Sequence, residues 1–268
     1  GYVTVPMKID ELDQNSWQKF FNVASDKSLI PIIRLATTFE NNSWRQPTKK
    51  DIVEFSKFLN SLDWKRDSLI IVLFNEPNQA GEWGGEINPE KYGEILSFAL
   101  SWFKTEKGNF IVLPAALDMA ADGKKGTVLA SNFLNILIKN YPNAIANLDA
   151  WNSHAYPNPG FSGKPTDNNF ASVKSYQWEL NLLKNKLGKE FTVYITETGW
   201  DGSKKSANLI ANYFKTAYQK IWAVDDKVMS VTPFLFNAQT LPFSNFSLID
   251  KNDQPTPLYE MIRELSKQ

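Results

Sequence analysis

Apolar and polar residues come in blocks along this chain. Short, nearly unbroken apolar runs occur at Tyr2–Pro6, Ile30–Ala36, Leu69–Asn78, Phe110–Leu117, Leu148–Pro157, Phe191–Trp200 and Val228–Asn237. Runs this short and rich in branched residues fit strands buried on both faces, as in a parallel sheet. Between them the apolar positions take helical spacing. Ser16 is placed to cap a helix carrying Trp17, Phe20, Phe21 and Ala24 on one face. Thr48-Lys-Lys-Asp51 has capping-box spacing ahead of Ile52, Phe55, Leu59 and Leu62. Asn88-Pro89 opens a third helix, with Tyr92, Ile95, Leu96, Ala99 and Phe103 apolar. Helices are also expected near Asn132–Asn140, over Phe170–Leu187 up to Gly188, after Ser206, and at the C-terminus from Leu258.

Strict alternation of strand and helix calls for a parallel sheet. Length alone allows one large barrel or two ordinary domains. The absence of any linker-like or repeated segment favours a closed α/β barrel in a single domain over residues 1–268. Seven strands are countable where a (β/α)8 barrel has eight.

The strand ends carry the chemistry. Leu69-Ile-Ile-Val-Leu-Phe gives way abruptly to Asn75-Glu76-Pro77, and Pro77 stops strand pairing. Phe191-Thr-Val-Tyr-Ile-Thr likewise ends in Glu197-Thr-Gly-Trp200. On a closed barrel the strand exits converge on the rim that holds catalytic residues, so glutamates distant in sequence can face one another. Two carboxyls roughly 5 Å apart are what retaining glycoside hydrolysis requires, one protonated to assist the leaving oxygen and one ionised to attack. A lone glutamate at a strand end is more often a solvated loop residue. The neighbours strengthen this pair, since Asn75 can bond a sugar hydroxyl and Trp200 can face a sugar ring.

Composition narrows the field. The chain is 43% hydrophobic and 22% charged, with 29 basic and 29 acidic residues, and no basic block that would recruit nucleic acid or acidic lipid. No apolar segment reaches the roughly 18–20 residues of a membrane span. The absence of cysteine rules out disulfides, thiol catalysis and Cys-bound zinc, and the single histidine, His154, argues against a His-based metal site. No cofactor is therefore expected. Nine tryptophans exceed what core packing usually needs and suit flat, apolar ligand faces.

Asn75-Glu76-Pro77 and, three strands on, Ile195-Thr-Glu197-Thr-Gly-Trp200 resemble the paired signatures of the clan A glycoside hydrolases, with Trp151-Asn-Ser-His-Ala-Tyr156 between them. The resemblance extends from about Tyr2 to the C-terminus, including Phe246-Ser-Leu-Ile-Asp250 and Pro257-Leu-Tyr259. It implies a retaining (β/α)8 β-glycosidase in which Glu76 is the acid/base, Glu197 the nucleophile and Asn75 the donor to the sugar 2-hydroxyl. If Leu69–Asn78 is the fourth strand, Tyr2–Pro6 is the second, and the first is expected upstream of Gly1. Many members carry a Trp on the last strand as a subsite floor; this chain has Phe234-Leu-Phe236-Asn237, which nominates Phe236.

Around the pair, His154 and Tyr156 are candidates to orient the nucleophile or bind a hydroxyl, with a structural histidine as the plain alternative. Arg34 is a candidate partner for the ionised nucleophile or a member of a structural ion pair. Trp44, Trp83 and Trp200 are candidate sugar platforms; Trp151 is equally suited to core packing. The expected partner is a carbohydrate, without nucleic acid or membrane, for a monomer that is secreted or held at the cell surface. The competing readings are an inactive carbohydrate-binding barrel, and a lyase or isomerase of another barrel family. The latter lacks the metal-binding acids or strand-end lysine it would need.

Overall fold

A computed structural model of the chain describes residues 1–265. They cluster into two compact units, one of residues 1–152 with 181–191 and the other of 153–180 with 192–265.

The first unit starts with β1 (Tyr2–Lys8), α1 (Gln14–Asp26) and β2 (Ile30–Ala36). A two-residue-per-strand hairpin follows, β3 (Phe39–Glu40) and β4 (Ser43–Trp44), where the sequence suggested only a loop. It continues through α2 (Lys49–Asn60), β5 (Leu69–Leu73), a 3₁₀ turn at Ala80–Glu82, α3 (Pro89–Phe103), β6 (Phe110–Pro114), α4 (Ala130–Asn140) and α5 (Pro142–Ala146). The main sheet has the order β1-β2-β5-β6, and every neighbouring pair is parallel. All five residues of β5 are buried, as an unbroken apolar run requires.

Helix starts follow local chemistry. Thr48 and Asp51 form the expected capping box on α2, and the Asn88 side chain accepts from Lys91 N ahead of Pro89 on α3. On α1 the cap is Asp13, whose side chain accepts from Ser16 N at 2.8 Å, so the helix begins before the Ser16 expected to start it. Gly93 permits close packing: a Cβ there would lie 2.2 Å from the Tyr141 ring. Buried Tyr92 receives a 2.7 Å bond from Ala115 N at the end of β6, and burial pushes its phenol up.

A further sheet has the order β7-β8-β9, with β7 at Trp151–His154, β8 at Val193–Glu197 and β9 at Val228–Val231; β8 and β9 belong to the second unit. β8 pairs parallel with β9. α6 (Ser175–Leu187) ends at Gly188, whose φ of +68° is the left-handed conformation glycine adopts at helix ends. α7 (Ala207–Ala217) and α8 (Pro257–Leu265) lie in the second unit. Ser206 occupies the N-cap position of α7 without a side-chain capping bond. β9 stops at Val231, six residues short of the apolar run, because Pro233 has no N–H to donate. Phe234 N nevertheless reaches Thr198 O at 2.9 Å, so the backbone keeps following the segment beyond β8. No described helix is long and apolar enough to cross a membrane.

Candidate active site

In the first unit the candidate residues gather where β2 and β5 leave the sheet. The backbone turns sharply after Leu73: Phe74 has φ +75° and Glu76 φ +29°, both on the positive-φ side that side-chain-bearing residues rarely adopt. Such strain at a strand exit is held by its surroundings. Asn78, fully buried, donates to Asp118 O at 2.9 Å and Val128 O at 3.0 Å and accepts from Asp118 N at 2.9 Å. Gln79 N bonds Glu76 O at 2.8 Å, and the Gln79 side-chain amide donates to Glu76 Oε2 at 2.6 Å. Neither Asn78 nor Gln79 was singled out from the sequence; their adjacency to the Asn-Glu-Pro motif was the available signal.

Arg34, near the end of β2, lines a narrow cleft together with Trp44, Phe74, Asn75 and Glu82. Arg34 Nε and Asn75 Oδ1 are both buried and without a hydrogen-bond partner. Arg34 forms no ion pair among the described residues, so the structural alternative for it does not hold within this unit. Two buried polar atoms without a partner in one cleft are unusual in a folded interior.

Trp83 does not offer the expected sugar platform. Its ring is 1% exposed and packed edge-on against Phe74 and Tyr92, turned inward from the loop that carries it. Trp44 is half-buried and has the exposed ring of Phe39 edge-on at 5.4 Å. Trp151 is in the core, against Phe191.

In the second unit Glu197 is the last residue of β8 and only 8% exposed. The Tyr156 hydroxyl donates to its Oε2 at 2.9 Å, and His154 Nδ1 lies 3.6 Å from the same oxygen. The backbone sets this arrangement. Ala155 N bonds Glu197 O at 3.2 Å and the Thr198 hydroxyl donates to Ala155 O at 2.7 Å, which ties the His154–Tyr156 segment to the end of β8 on both sides of the glutamate. Tyr156 is itself fixed by edge-on rings: Phe161 at 5.1 Å, Phe234 at 6.0 Å and Phe246 at 6.4 Å. Gly199 allows Phe246 its approach, since a Cβ there would meet the ring at 3.2 Å.

From the segment after β9 it is Phe234 whose ring lies beside Tyr156. Phe236, the residue nominated as a subsite floor, is 62% exposed and lies edge-on to Tyr259. Trp200 is 1% exposed, with its Nε1 bonded to Gly163 O at 2.7 Å and its ring against Tyr213 and Phe214. It borders a cavity of about 420 Å³ with Gly199, Asn245 and Phe246, but its face is covered and does not serve as an open platform. Asp201, next in the chain, is held below the usual carboxylate range: burial opposes this, and bonds from the Ser203 hydroxyl and N–H with nearby Lys204 outweigh it.

A family 39 glycoside hydrolase from the gut symbiont Bacteroides cellulosilyticus WH2 superposes with a TM-score of 0.68 at 16% identity, over 97% of this chain and 56% of that one. A glucosidase from Croceicoccus marinus gives 0.70 at 11% identity, over 99% and 60%. A family 5 xyloglucanase from Paenibacillus pabuli gives 0.60 at 16% identity, over 98% and 86%. This chain therefore spans just over half the length of the first two. Likeness at such low identity establishes the fold, an α/β structure of the (β/α)8 barrel type. No curated protein matches the sequence as a relative. The family model described as the glycosyl hydrolase catalytic core matches residues 16–261. The chain belongs to the glycosyl hydrolase catalytic core family.

Proposed function

We propose that this chain is a retaining glycosidase that cleaves β-glycosidic bonds of an oligo- or polysaccharide, with Glu197 as nucleophile and Glu76 as acid/base. In the first half-reaction Glu76 gives its proton to the departing glycosidic oxygen while a Glu197 oxygen attacks the anomeric carbon. The bond to the leaving group breaks and a glycosyl ester on Glu197 forms. In the second half Glu76 takes a proton from water, and the water oxygen displaces Glu197. The sugar is released with its original anomeric configuration. The residues of the chain act as one catalytic domain, as a monomer, with Asn75 and Arg34 bonding hydroxyls or charge on the reacting groups.

The observation that carries this reading is the setting of Glu197. A carboxylate 8% exposed, held at one oxygen by Tyr156 at 2.9 Å, is fixed for attack rather than solvated. Family membership supports the class of reaction, and Glu76 supplies the second carboxyl three strands earlier in the chain.

Glu197→Ala is the test. Turnover of an activated aryl β-glycoside should vanish, and added azide should restore part of it with a glycosyl azide of inverted configuration as product. Unchanged hydrolysis by this variant would remove Glu197 from the nucleophile role. A crystal structure with the two carboxyls roughly 6.5–9.5 Å apart would replace retention by inversion.

A further inference from the structure

The β3–β4 hairpin takes no part in the two half-reactions above, yet it is closely fastened for so small an element. Asn41 and Asn42 have φ of +52° and +59°, the left-handed pair that a two-residue hairpin turn of matching twist demands. Phe39 pairs directly with Trp44 and Glu40 with Ser43, which puts the two aromatic rings on one face, 5.4 Å apart at 67°. Phe39 is 59% exposed.

An isolated hairpin of this size is not stable in water. This one is fastened on both sides. At its root Arg45 N donates to Thr38 O at 2.8 Å, and the Arg45 guanidinium takes both oxygens of Asp51 at 2.8 and 3.0 Å. Along its second strand the Ser43 hydroxyl lies 3.2 and 3.1 Å from the carbonyls of Ala80 and Gly81, and Gly84 N donates to Trp44 O at 2.7 Å. Gly84, at φ +73°, is needed for that approach, since a Cβ would stand 3.1 Å from Gln46 Cβ. The segment Ala80–Gly84 belongs to the loop that leaves Glu76, so the hairpin is bonded directly to that loop.

Trp44 lines the cleft shared by Arg34 and Asn75, and Phe39 continues its aromatic surface outward to solvent. The residues beside Phe39 are Glu40, Asn41 and Asn42, polar and exposed. A protein-docking patch would need a broad apolar surround. Two ring faces with carboxylate and amide groups at their edge match a pyranose, which presents C–H faces between hydroxyls.

We propose that Phe39 and Trp44 form a glycan-binding arm that holds sugar units beyond the reacting one, making this chain a binder of β-linked chains rather than of single-sugar glycosides. The glycan class rests on the glycosidase reading, but the arm is measurable without turnover.

Phe39→Ala, Phe39→Tyr and the unaltered chain would be assayed on aryl monoglycosides and on cello-, xylo- and β-1,3-gluco-oligosaccharides of two to six units. Binding of the same panel would be measured on Glu197→Gln protein by calorimetry. Phe39→Ala should raise KM and weaken binding by about three- to tenfold for the longer chains, leave aryl monoglycosides within about twofold, and be repaired by Phe39→Tyr. An equal effect on long and short substrates, no effect, or no binding of any oligosaccharide by Glu197→Gln protein would each overturn the arm. Concentration-dependent self-association abolished by Phe39→Ala would assign the pair to a protein contact and overturn it too. Length-dependent binding that needs Phe39, without hydrolysis of any substrate, would leave the arm standing while refuting the glycosidase.

Discussion

The two glutamates proposed as the catalytic pair stand at strand exits that are built differently. Glu197 is the last residue of a regular strand, buried, with Tyr156 and His154 from the preceding strand's exit directed at one oxygen. Glu76 lies three residues past its strand, half-buried, on backbone with left-handed φ at Phe74 and Glu76, and the Gln79 amide three residues on donates to its side chain. One carboxyl is immobilised by aromatic packing and a phenol; the other sits on a turn braced from behind by Asn78. A nucleophile needs a fixed line of attack, whereas an acid/base must exchange protons with a leaving group and with water. The division of labour proposed above follows this contrast.

The sharpest way to break it is to compare Glu197→Gln with Glu76→Gln over leaving groups of rising acidity. Glu197→Gln should remove turnover of every substrate. Glu76→Gln should lose on the order of 10²–10⁴-fold on poorly activated glycosides and much less on dinitrophenyl glycosides, which depart without a proton. Identical dependence on the leaving group in both variants would mean the two roles are wrongly divided.

Next in size is Tyr156→Phe, which keeps the ring contacts and deletes the bond to Glu197. A hydrogen bond to a charged group is worth about 1.5–3 kcal/mol, so kcat/KM should fall about tenfold to a hundredfold with little change in melting temperature. A large melting shift with unchanged kcat/KM would make Tyr156 structural.

How much of this contrast was readable in the sequence differs between its halves. The strands were legible because two-sided burial leaves an unbroken apolar run, and both glutamates stand where such runs break. The Tyr156 contact followed only from resemblance, since no pattern within the strand tells which exits are joined. Two of the three tryptophan platforms, Trp83 and Trp200, misled for a related reason: position on a loop does not give side-chain direction. Trp83 turns back under its loop onto Phe74 and Tyr92, and Trp200 is covered by Tyr213 and Phe214. The hairpin escaped because strands of two residues leave no alternating pattern, although Asn41-Asn42 flanked by Phe39 and Trp44 is a turn signal in retrospect.

The bracing of the Glu76 exit can be probed with Asn78→Ala, which removes three hydrogen bonds from a buried amide. We expect a loss of about 1–3 kcal/mol. In a chain of this size that lowers Tm by about 2–4 °C per kcal/mol. Calorimetry reads it directly; an unchanged Tm would show that the turn holds itself.

The smallest effect, and the finest test of the contrast, is expected from Gln79→Leu. An amide N–H can only donate, so the 2.6 Å bond to Glu76 Oε2 is made best with the charged carboxylate. That is the form Glu76 must have in the second half-reaction, when it takes a proton from water, and must give up in the first. Loss of the bond should therefore slow hydrolysis of the glycosyl ester more than its formation. With dinitrophenyl glycosides, kcat should fall about three- to tenfold, for a net bond of about 0.5–1.5 kcal/mol at a half-exposed site, while kcat/KM stays near its original value. Rapid mixing should show a larger burst of dinitrophenol as the ester accumulates. Equal loss in kcat and kcat/KM would mean that Gln79 holds the geometry of the turn and not the charge of Glu76.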